Sequence, residues 1–125
     1  MIQIVKDSDT RPWFFLQTAH TTYGMWVMET GHLEHLYYGE RITVDSQDPS
    51  SCAPLVIQRA FAPGNTCTYD REHPQISMED VCLEVGTLGK GDIREPFLEV
   101  RFADGSVTTD FTFDSYEVIT CLLYT

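Results

Sequence analysis

The sequence predicts an all-β fold, an antiparallel β-sandwich, and three observations predict it. Apolar and polar residues alternate along 97–102 and 107–113, and the Asp-Gly pair between these runs favours a tight hairpin. Aromatic and β-branched residues fill three further runs in the first third of the chain. No stretch of ten or more residues shows a convincing helical period.

The three runs in the first third, residues 13–18, 21–28 and 32–38, predict a three-stranded meander. The sequence Glu-Thr-Gly at 29–31 is a turn signal between the second and third runs. Each run is of ordinary strand length, so adjacent strands joined by short turns are the simplest arrangement.

The last third predicts a second hairpin. The even positions of 97–102 share one face of the first strand, and the odd positions of 107–113 share one face of the return strand. Tyr116 and Val118 are apolar at the opposite parity, so we expect a bulge at 114–115 to restore the register.

The middle of the chain is irregular, with polar and turn-forming residues at 45–51 and Pro or Gly breaks after it. Residues 77–80 could start at most one helical turn. Cys82 lies in the apolar stretch 81–83, and we predict that it belongs to the core.

The length of 125 residues fits one domain and is too short for a (β/α)₈ barrel, which needs about 250 residues. Acidic residues number 19 against 8 basic ones, a net charge of −11 that repels phosphate groups. We therefore expect neither a nucleic-acid partner nor a membrane partner.

No run approaches 18 apolar residues, and the first residues lack the features of a signal peptide. We therefore expect a cytoplasmic protein. The four cysteines, at 52, 67, 82 and 121, include no Cys-x-x-Cys pair, so free thiols are expected rather than a zinc site.

Four segments, in order, resemble the N-terminal region of family 36 glycoside hydrolases, the melibiase-type α-galactosidases. They are an opening strand pair, a turn and strand ending in Leu-Tyr-Tyr-Gly, a glycine loop with Asp-x-Arg-x-Pro, and a closing hairpin, at residues 15–23, 31–42, 83–96 and 104–117. The resemblance ends before 120–125, where the family continues with Gly-Lys-Pro and Gly-Leu-Pro runs.

The resemblance implies that residues 1–125 are an N-terminal β-sandwich region, part of a supersandwich domain, that stops before the catalytic barrel. It implies a parent enzyme that hydrolyses terminal α-galactosides such as melibiose and raffinose, through two carboxylates that both lie in the barrel. The expected partners are therefore that barrel and further copies of the chain, with galactosides bound in the parent's active site. No catalytic residue, cofactor or metal is expected in this chain.

Gln58 and Arg59 are the two candidate substrate-binding residues. In some relatives the similar stretch carries Asp where Gln58 stands, near the sugar site of an assembled oligomer. Gln keeps the hydrogen-bonding capacity of that position but loses its charge. Arg59 contacts substrate or supports the loop.

Three further groups have a functional and an ordinary interpretation. Asp92 and Arg94 form an ion pair against the next domain or, the favoured reading, a contact within this one. Five aromatic residues bind sugar rings or, again favoured, form the sandwich core: Trp13, Tyr23, Trp26, Tyr37 and Tyr38. His20, His32, His35 and Glu34 have metal-ligand chemistry. On a strand His32 and Glu34 share a face but His35 faces away, so a metal site is disfavoured.

Three hypotheses of function remain open at this level. The chain is an accessory domain of an α-galactosidase, a free-standing carbohydrate-binding sandwich, or a truncated gene product with no function. Sugar binding by the isolated chain distinguishes the second hypothesis from the other two.

Overall fold

The computed structural model describes residues 1–7, 11–56 and 67–119. Four antiparallel strands form one sheet in the order β1-β2-β3-β4: β1 (Ile2–Asp7), β2 (Arg11–Gln17), β3 (Thr21–Val27) and β4 (Leu33–Glu40). Two short 3₁₀ helices follow, η1 (Pro49–Leu55) and η2 (Met78–Asp80). The all-β prediction is confirmed, and the meander predicted over residues 13–38 corresponds to β2, β3 and β4.

The register of the sheet divides the residues of β2 between two faces. Trp13 and Phe15 point to one face, where they meet Val5 of β1 and a second layer that contains Val44 and Cys52. The indoles of Trp13 and Trp26 are cross-strand partners whose ring centroids lie 4.7 Å apart. Burial of these large apolar groups is the main stabilising term of this layer.

The opposite face of the sheet carries Phe14, which is only 7% exposed. The chain after residue 110 covers it: the ring of Phe14 lies 5.9 Å from that of Phe113 and 5.1 Å from that of Tyr116. Both faces of the sheet are thus packed, one by η1 and its neighbours and one by residues 111–119. The continuous apolar run at residues 13–16 of β2 fits burial on both faces.

The turn between β3 and β4 needs glycine. Gly31 has φ +83°, and its N–H donates to the carbonyl of Met28 at 2.9 Å. Further along, the register shifts between Gly24 and Met25, which pair with Tyr37 and His35 and leave Leu36 as the extra residue.

The bulge lies here in β4, and the bulge predicted at 114–115 is wrong because no strand passes through that position. The strand β1 was not predicted, although its residues alternate in the expected way.

The second predicted hairpin is present only as its turn. Gly105 has φ +85°, its N–H donates to Phe102, and the N–H of Phe102 donates to Ser106, both at 2.9 Å. Neither 97–102 nor 107–113 is a strand. The reason is competition: Thr109 donates to the carbonyl of Leu88 and Phe113 to that of Gly31, so the return segment bonds elsewhere.

The prediction that Cys82 belongs to the core is wrong, since this residue is exposed. Its neighbour Val81 takes the inward position and is 1% exposed. The carbonyl of Cys82 accepts from the N–H of His35 at 2.8 Å, and Leu83 bridges Glu34. This short segment therefore runs beside β4, where successive side chains alternate between inside and outside.

Across residues 1–7, 11–56 and 67–119 there is no helix long and apolar enough to cross a membrane. The prediction that residues 77–80 form at most one helical turn is confirmed, because η2 spans three residues.

Candidate functional site

The two residues predicted to bind substrate, Gln58 and Arg59, lie outside the described residues. The chain on either side is described. Val56 ends η1 with its N–H donating to Ala53 and packs against the core cluster, and Cys67 lies against Gly91. Gly91 has φ +94°, and a Cβ there would lie 3.1 Å from the Cys67 sulfur, so the backbone conformation and the close approach both favour glycine.

A histidine–carboxylate pair links the turn before β4 to the segment that contains Asp110. His32 is 0% exposed, and its Nε2 lies 2.6 Å from Oδ1 of Asp110. Its Nδ1 lies 2.8 Å from the hydroxyl of Thr30. An ionised carboxylate only accepts hydrogen bonds, so Nε2 carries the donated proton. The imidazole is therefore held at both nitrogens within the turn that precedes β4.

Two further groups converge on Asp110. The hydroxyl of Tyr69 donates to Oδ2 at 2.7 Å, and Nζ of Lys90 lies 3.7 Å from the same oxygen and 5.7 Å from the centre of the Tyr69 ring. Burial alone would raise the pKa of Asp110. Hydrogen bonds from Tyr69 and His32, with the charges of His32 and Lys90, outweigh burial and hold that pKa below its usual value.

The contact that lowers the pKa of Asp110 raises the pKa of the Tyr69 phenol. Burial, the hydrogen bond to Asp110 and the charges of Asp110 and Asp70 raise the pKa of Tyr69 to about 12. A phenol with this pKa stays protonated near neutral pH and can only act as a donor to the carboxylate. The cluster of His32, Tyr69, Lys90 and Asp110 thus joins four distant parts of the chain through one carboxylate.

A second carboxylate, that of Glu84, contacts side chains of β3 and β4. The hydroxyl of Tyr23 lies 2.6 Å from each of its oxygens, and Nδ1 of His35 lies 3.3 Å from Oε1. Burial and the bond to Glu84 raise the pKa of Tyr23 to about 12. Glu34, 1% exposed, accepts from the indole N–H of Trp26 at 2.7 Å.

The interpretation of Asp92 and Arg94 as a contact within this domain is correct. Nε of Arg94 donates to Oδ1 of Asp92 at 2.8 Å and Nη2 to Oδ2 at 3.1 Å, a two-point contact. The same Nη2 donates to the carbonyls of Met78 and Val81, at the two ends of η2. The pair therefore ties the glycine loop to η2.

The core interpretation of the aromatic set is supported for Trp13 and Trp26, which form part of the core cluster or pack against it. Tyr23 and Tyr37 are half-buried: Tyr23 bonds Glu84, and the hydroxyl of Tyr37 donates to the carbonyl of Glu40 at 2.9 Å. The side chain of Tyr38 is 71% exposed.

The histidines and Glu34 considered as metal ligands point to different partners. His32 contacts Asp110, His35 contacts Glu84, and Glu34 contacts Trp26. His20 contributes its backbone, with its carbonyl accepting from Arg41 at 2.8 Å. Within the described ranges no three histidine, cysteine or carboxylate residues converge on a point where a metal ion would sit.

The sequence did not predict that Asp110, Tyr69 and Glu84 form long-range side-chain hydrogen bonds. Asp110 lies at the polar parity of an alternating run, which predicts a solvated position, and its main partner is 78 residues away. The available signal was weak: Glu84 is flanked by apolar residues, and His32 follows a glycine turn. Neither signal identifies the partner.

The fold and these contacts define a small antiparallel β domain in which the buried carboxylates bond the domain's own loops. The sequence profile of the glycosyl hydrolase family 36 N-terminal domain matches residues 31–122. The chain belongs to this family, as the resemblance predicted.

Two curated relatives are α-galactosidases by name. The chain is 38% identical over 107 residues to the bifunctional alpha-galactosidase/sucrose kinase AgaSK of Mediterraneibacter gnavus. The aligned region covers 84% of this chain and 11% of the relative. The chain is 28% identical over 105 residues to the alpha-galactosidase AgaA of Geobacillus stearothermophilus, covering 84% of this chain and 13% of that protein.

Two solved structures share the fold. The alpha-galactosidase from Lactobacillus brevis superposes with a TM-score of 0.74 at 32% identity, over 90% of this chain and 14% of that one. The galactosidase domain of AgaSK superposes with a TM-score of 0.69 at 30% identity, over 91% of this chain and 15% of that one. The chain thus spans 11 to 15% of the length of these proteins.

Proposed function

We propose that this chain is a non-catalytic N-terminal domain of an α-galactosidase acting on terminal α-galactosides of the melibiose and raffinose type. Its role is assembly: it packs on the catalytic barrel and shapes the mouth of the sugar site. The observation that carries this proposal is the family 36 N-terminal match over residues 31–122, in a chain that spans only 11 to 15% of its relatives.

The arrangement of the carboxylates supports a non-catalytic role. A retaining glycosidase needs two carboxyl groups about 5–5.5 Å apart on either side of the scissile bond. Among the described residues, four little-exposed acidic side chains each bond an internal partner: Glu34 to Trp26, Asp92 to Arg94, Glu84 to Tyr23 and Asp110 to His32. Groups used in this way brace the domain and are not presented to a sugar.

The direct test is an assay of galactose release. The purified chain should release no galactose from melibiose or raffinose, while AgaSK of Mediterraneibacter gnavus serves as the positive control. Galactose release that persists through repurification and scales with the concentration of this chain would overturn the non-catalytic assignment. Binding of galactosides by the isolated chain without hydrolysis would instead favour a free-standing carbohydrate-binding module, with the exposed ring of Tyr38 as the first residue to substitute.

A chimera tests the assembly role. Replacing the matched segment of AgaSK by this chain should yield a folded and active enzyme, since the two are 38% identical there. In that chimera Gln58→Ala should raise KM for melibiose while leaving the melting temperature nearly unchanged. Arg59→Ala is assayed beside it. A change in melting temperature with KM unaltered would assign both residues to loop support.

A further inference from the structure

The segment of residues 57–66 carries Gln58 and Arg59, and the structure describes the chain on both sides of it. On its N-terminal side, the N–H of Val56 donates to the carbonyl of Ala53 at 3.1 Å, at the end of η1. The side chain of Val56 packs against the core cluster on one face of the sheet. The chain therefore enters the segment from a point that the core of the domain fixes.

Tyr69 anchors the chain on the C-terminal side of the segment. Residues 67–68 are exposed, so Tyr69 is the first described residue after the segment whose side chain is partly enclosed. Its N–H donates to the carbonyl of Ile76 at 2.8 Å, and its ring meets that of His32 edge-on, with the centroids 4.9 Å apart. Its hydroxyl donates to Oδ2 of Asp110 at 2.7 Å. The backbone, the ring and the hydroxyl of this residue are therefore all held.

The acceptor of the Tyr69 hydroxyl is itself fixed to other parts of the domain. The second oxygen of Asp110 lies 2.6 Å from Nε2 of His32, in the turn before β4. The preceding residue, Thr109, donates its N–H to the carbonyl of Leu88 at 2.9 Å, and its hydroxyl accepts from the N–H of Leu88 at 3.3 Å. Hydrogen bonds to a charged acceptor are roughly twice as strong as neutral ones. The phenol is thus tied firmly to a carboxylate that the rest of the domain holds in place.

We propose that Tyr69 is a positioning residue: its hydrogen bond to Asp110 sets the place at which the segment 57–66 rejoins the domain. Through that segment it positions Gln58 and Arg59, so the inference rests on the proposed function, in which these two residues contact the sugar. A segment released at one end samples more conformations, and ordering it when the sugar binds costs free energy. Loss of the bond should therefore weaken sugar binding and leave the chemical step unchanged.

Tyr69→Phe tests this role in the chimera with AgaSK, because it removes one hydroxyl and keeps the ring that packs on His32. KM for melibiose should rise about fivefold while kcat stays within about twofold, since binding common to substrate and transition state is lost. Tyr23→Phe is the matched control. It removes a bond of the same kind, from a phenol to the carboxylate of Glu84 at 2.6 Å, at a place that does not flank the segment. KM should be unchanged in this control.

A second variant shows whether the effect belongs to the hydrogen bond. Asp110→Asn should also raise KM, because a neutral amide oxygen is a weaker acceptor than a carboxylate. Combining it with Tyr69→Phe should raise KM no further than the larger single effect, since two residues that act through one bond are not additive. Effects that multiply would contradict the proposal. Thermal unfolding verifies that each variant is folded, and if Tyr69→Phe does not fold, Asp110→Asn is compared with Tyr23→Phe instead.

Native-state proteolysis tests the inference in the 125-residue chain, without any enzyme activity. Trypsin cleaves after arginine, so cleavage after Arg59 is followed with cleavage after the exposed Arg101 as the internal reference. Tyr69→Phe should increase the rate after Arg59 about fivefold relative to Arg101, since cleavage of a folded protein follows local opening. Tyr23→Phe should leave this ratio unchanged.

Equal effects of Tyr69→Phe and Tyr23→Phe in either experiment overturn the inference, because they would reflect a general loss of stability. An unchanged rate of cleavage after Arg59 in Tyr69→Phe also overturns it, as does a lower kcat with KM unaltered. The proposed function fails separately. If the chimera is inactive, or if Gln58→Ala leaves its KM unaltered, the substrate role of the segment is wrong, and the cleavage ratio still decides whether Tyr69 positions it.

Discussion

The Nε2 atom of His32 lies 2.6 Å from Oδ1 of Asp110, although the two residues are 78 positions apart in the chain. One belongs to the turn before β4, and the other to the segment that covers the far face of the sheet. The hydroxyl of Tyr69, from a third segment, bonds the second oxygen of the same carboxylate at 2.7 Å. The carboxylate of Asp110 therefore links two irregular segments, those of Tyr69 and Asp110, to the turn before β4.

Asp110→Asn should lower the free energy of unfolding at pH 7 by about 2 kcal/mol, since hydrogen bonds to a charged acceptor are worth more than neutral ones. Urea unfolding measures this loss. Asp114→Asn, at an exposed position nearby, is the control and should change the free energy by less than about 0.5 kcal/mol. Equal effects of the two substitutions would show that the cluster does not brace the fold.

The pH dependence of that stabilisation follows from the lowered pKa of Asp110. A carboxyl group whose folded pKa is depressed contributes its full stabilisation above the unfolded pKa, about 3.9. The contribution is lost as the pH falls from there through the folded pKa. Between pH 7 and pH 3 the difference in stability between the parent and Asp110→Asn should therefore shrink. A constant difference across this range would contradict the ionised role of Asp110.

Arg94→Ala should destabilise the chain by about 3 kcal/mol, because it leaves the buried carboxylate of Asp92 without its counter-charge. It also removes donors to the carbonyls of Met78 and Val81. Arg94→Lys should recover only part of the loss, because an ammonium group lacks the planar two-point geometry. Urea unfolding distinguishes the three proteins, and Arg71→Ala, at an exposed position, is the control. Full recovery with Lys would argue that charge alone matters.

Two of the six tyrosines should ionise about two pH units above the ordinary phenol value. Burial and the bonded carboxylates raise the pKa of both Tyr23 and Tyr69 to about 12. Ultraviolet absorbance followed through an alkaline titration should show a late step, and Tyr23→Phe and Tyr69→Phe should each remove part of it. The reference is the chain in denaturant, where the step should move down towards pH 10. A late step unaffected by both substitutions would refute the assignment.

The four cysteines should behave as free thiols with unequal reactivity. Cys67 and Cys82 are exposed and should react quickly with a thiol reagent in the folded chain. Cys52 is buried, and burial raises the pKa of its thiol, so it should react only after unfolding. Titration in denaturant after non-oxidising purification should find about four thiols per chain. Finding none would indicate disulfides and contradict the expectation of a cytoplasmic protein.

Much of the sheet could be predicted from local sequence. The runs that form β2, β3 and β4 are rich in aromatic residues and of strand length, and the Gly31 turn separates two of them, so their pairing follows from adjacency. The failures have a common cause. Residues 97–102 and 107–113 have strand composition, yet a strand also needs a partner for its backbone, and Leu88 and Gly31 compete for the second segment.

The candidate sites were harder to predict because their members are distant in sequence. Asp92 and Arg94 could be recognised as a pair, since they lie two residues apart after a glycine loop. Tyr23 and Glu84 are 61 residues apart, and nothing in either local sequence indicates the other. A polar residue in a strand pattern predicts solvent by default, so a carboxylate bound by an internal donor is assigned to the wrong environment.

The sequence by itself determined the all-β class, the meander, the acidic surface and the resemblance to family 36. Each of these depends on composition or on order along the chain, which need no knowledge of contacts. Only the tertiary structure decided that Cys82 faces outwards, that Asp110 contacts His32, Tyr69 and Lys90, and that the return segment 107–113 bonds Leu88 and Gly31. These outcomes depend on which of several possible partners lies next to each group in the folded domain. The packing of the whole domain determines those neighbours.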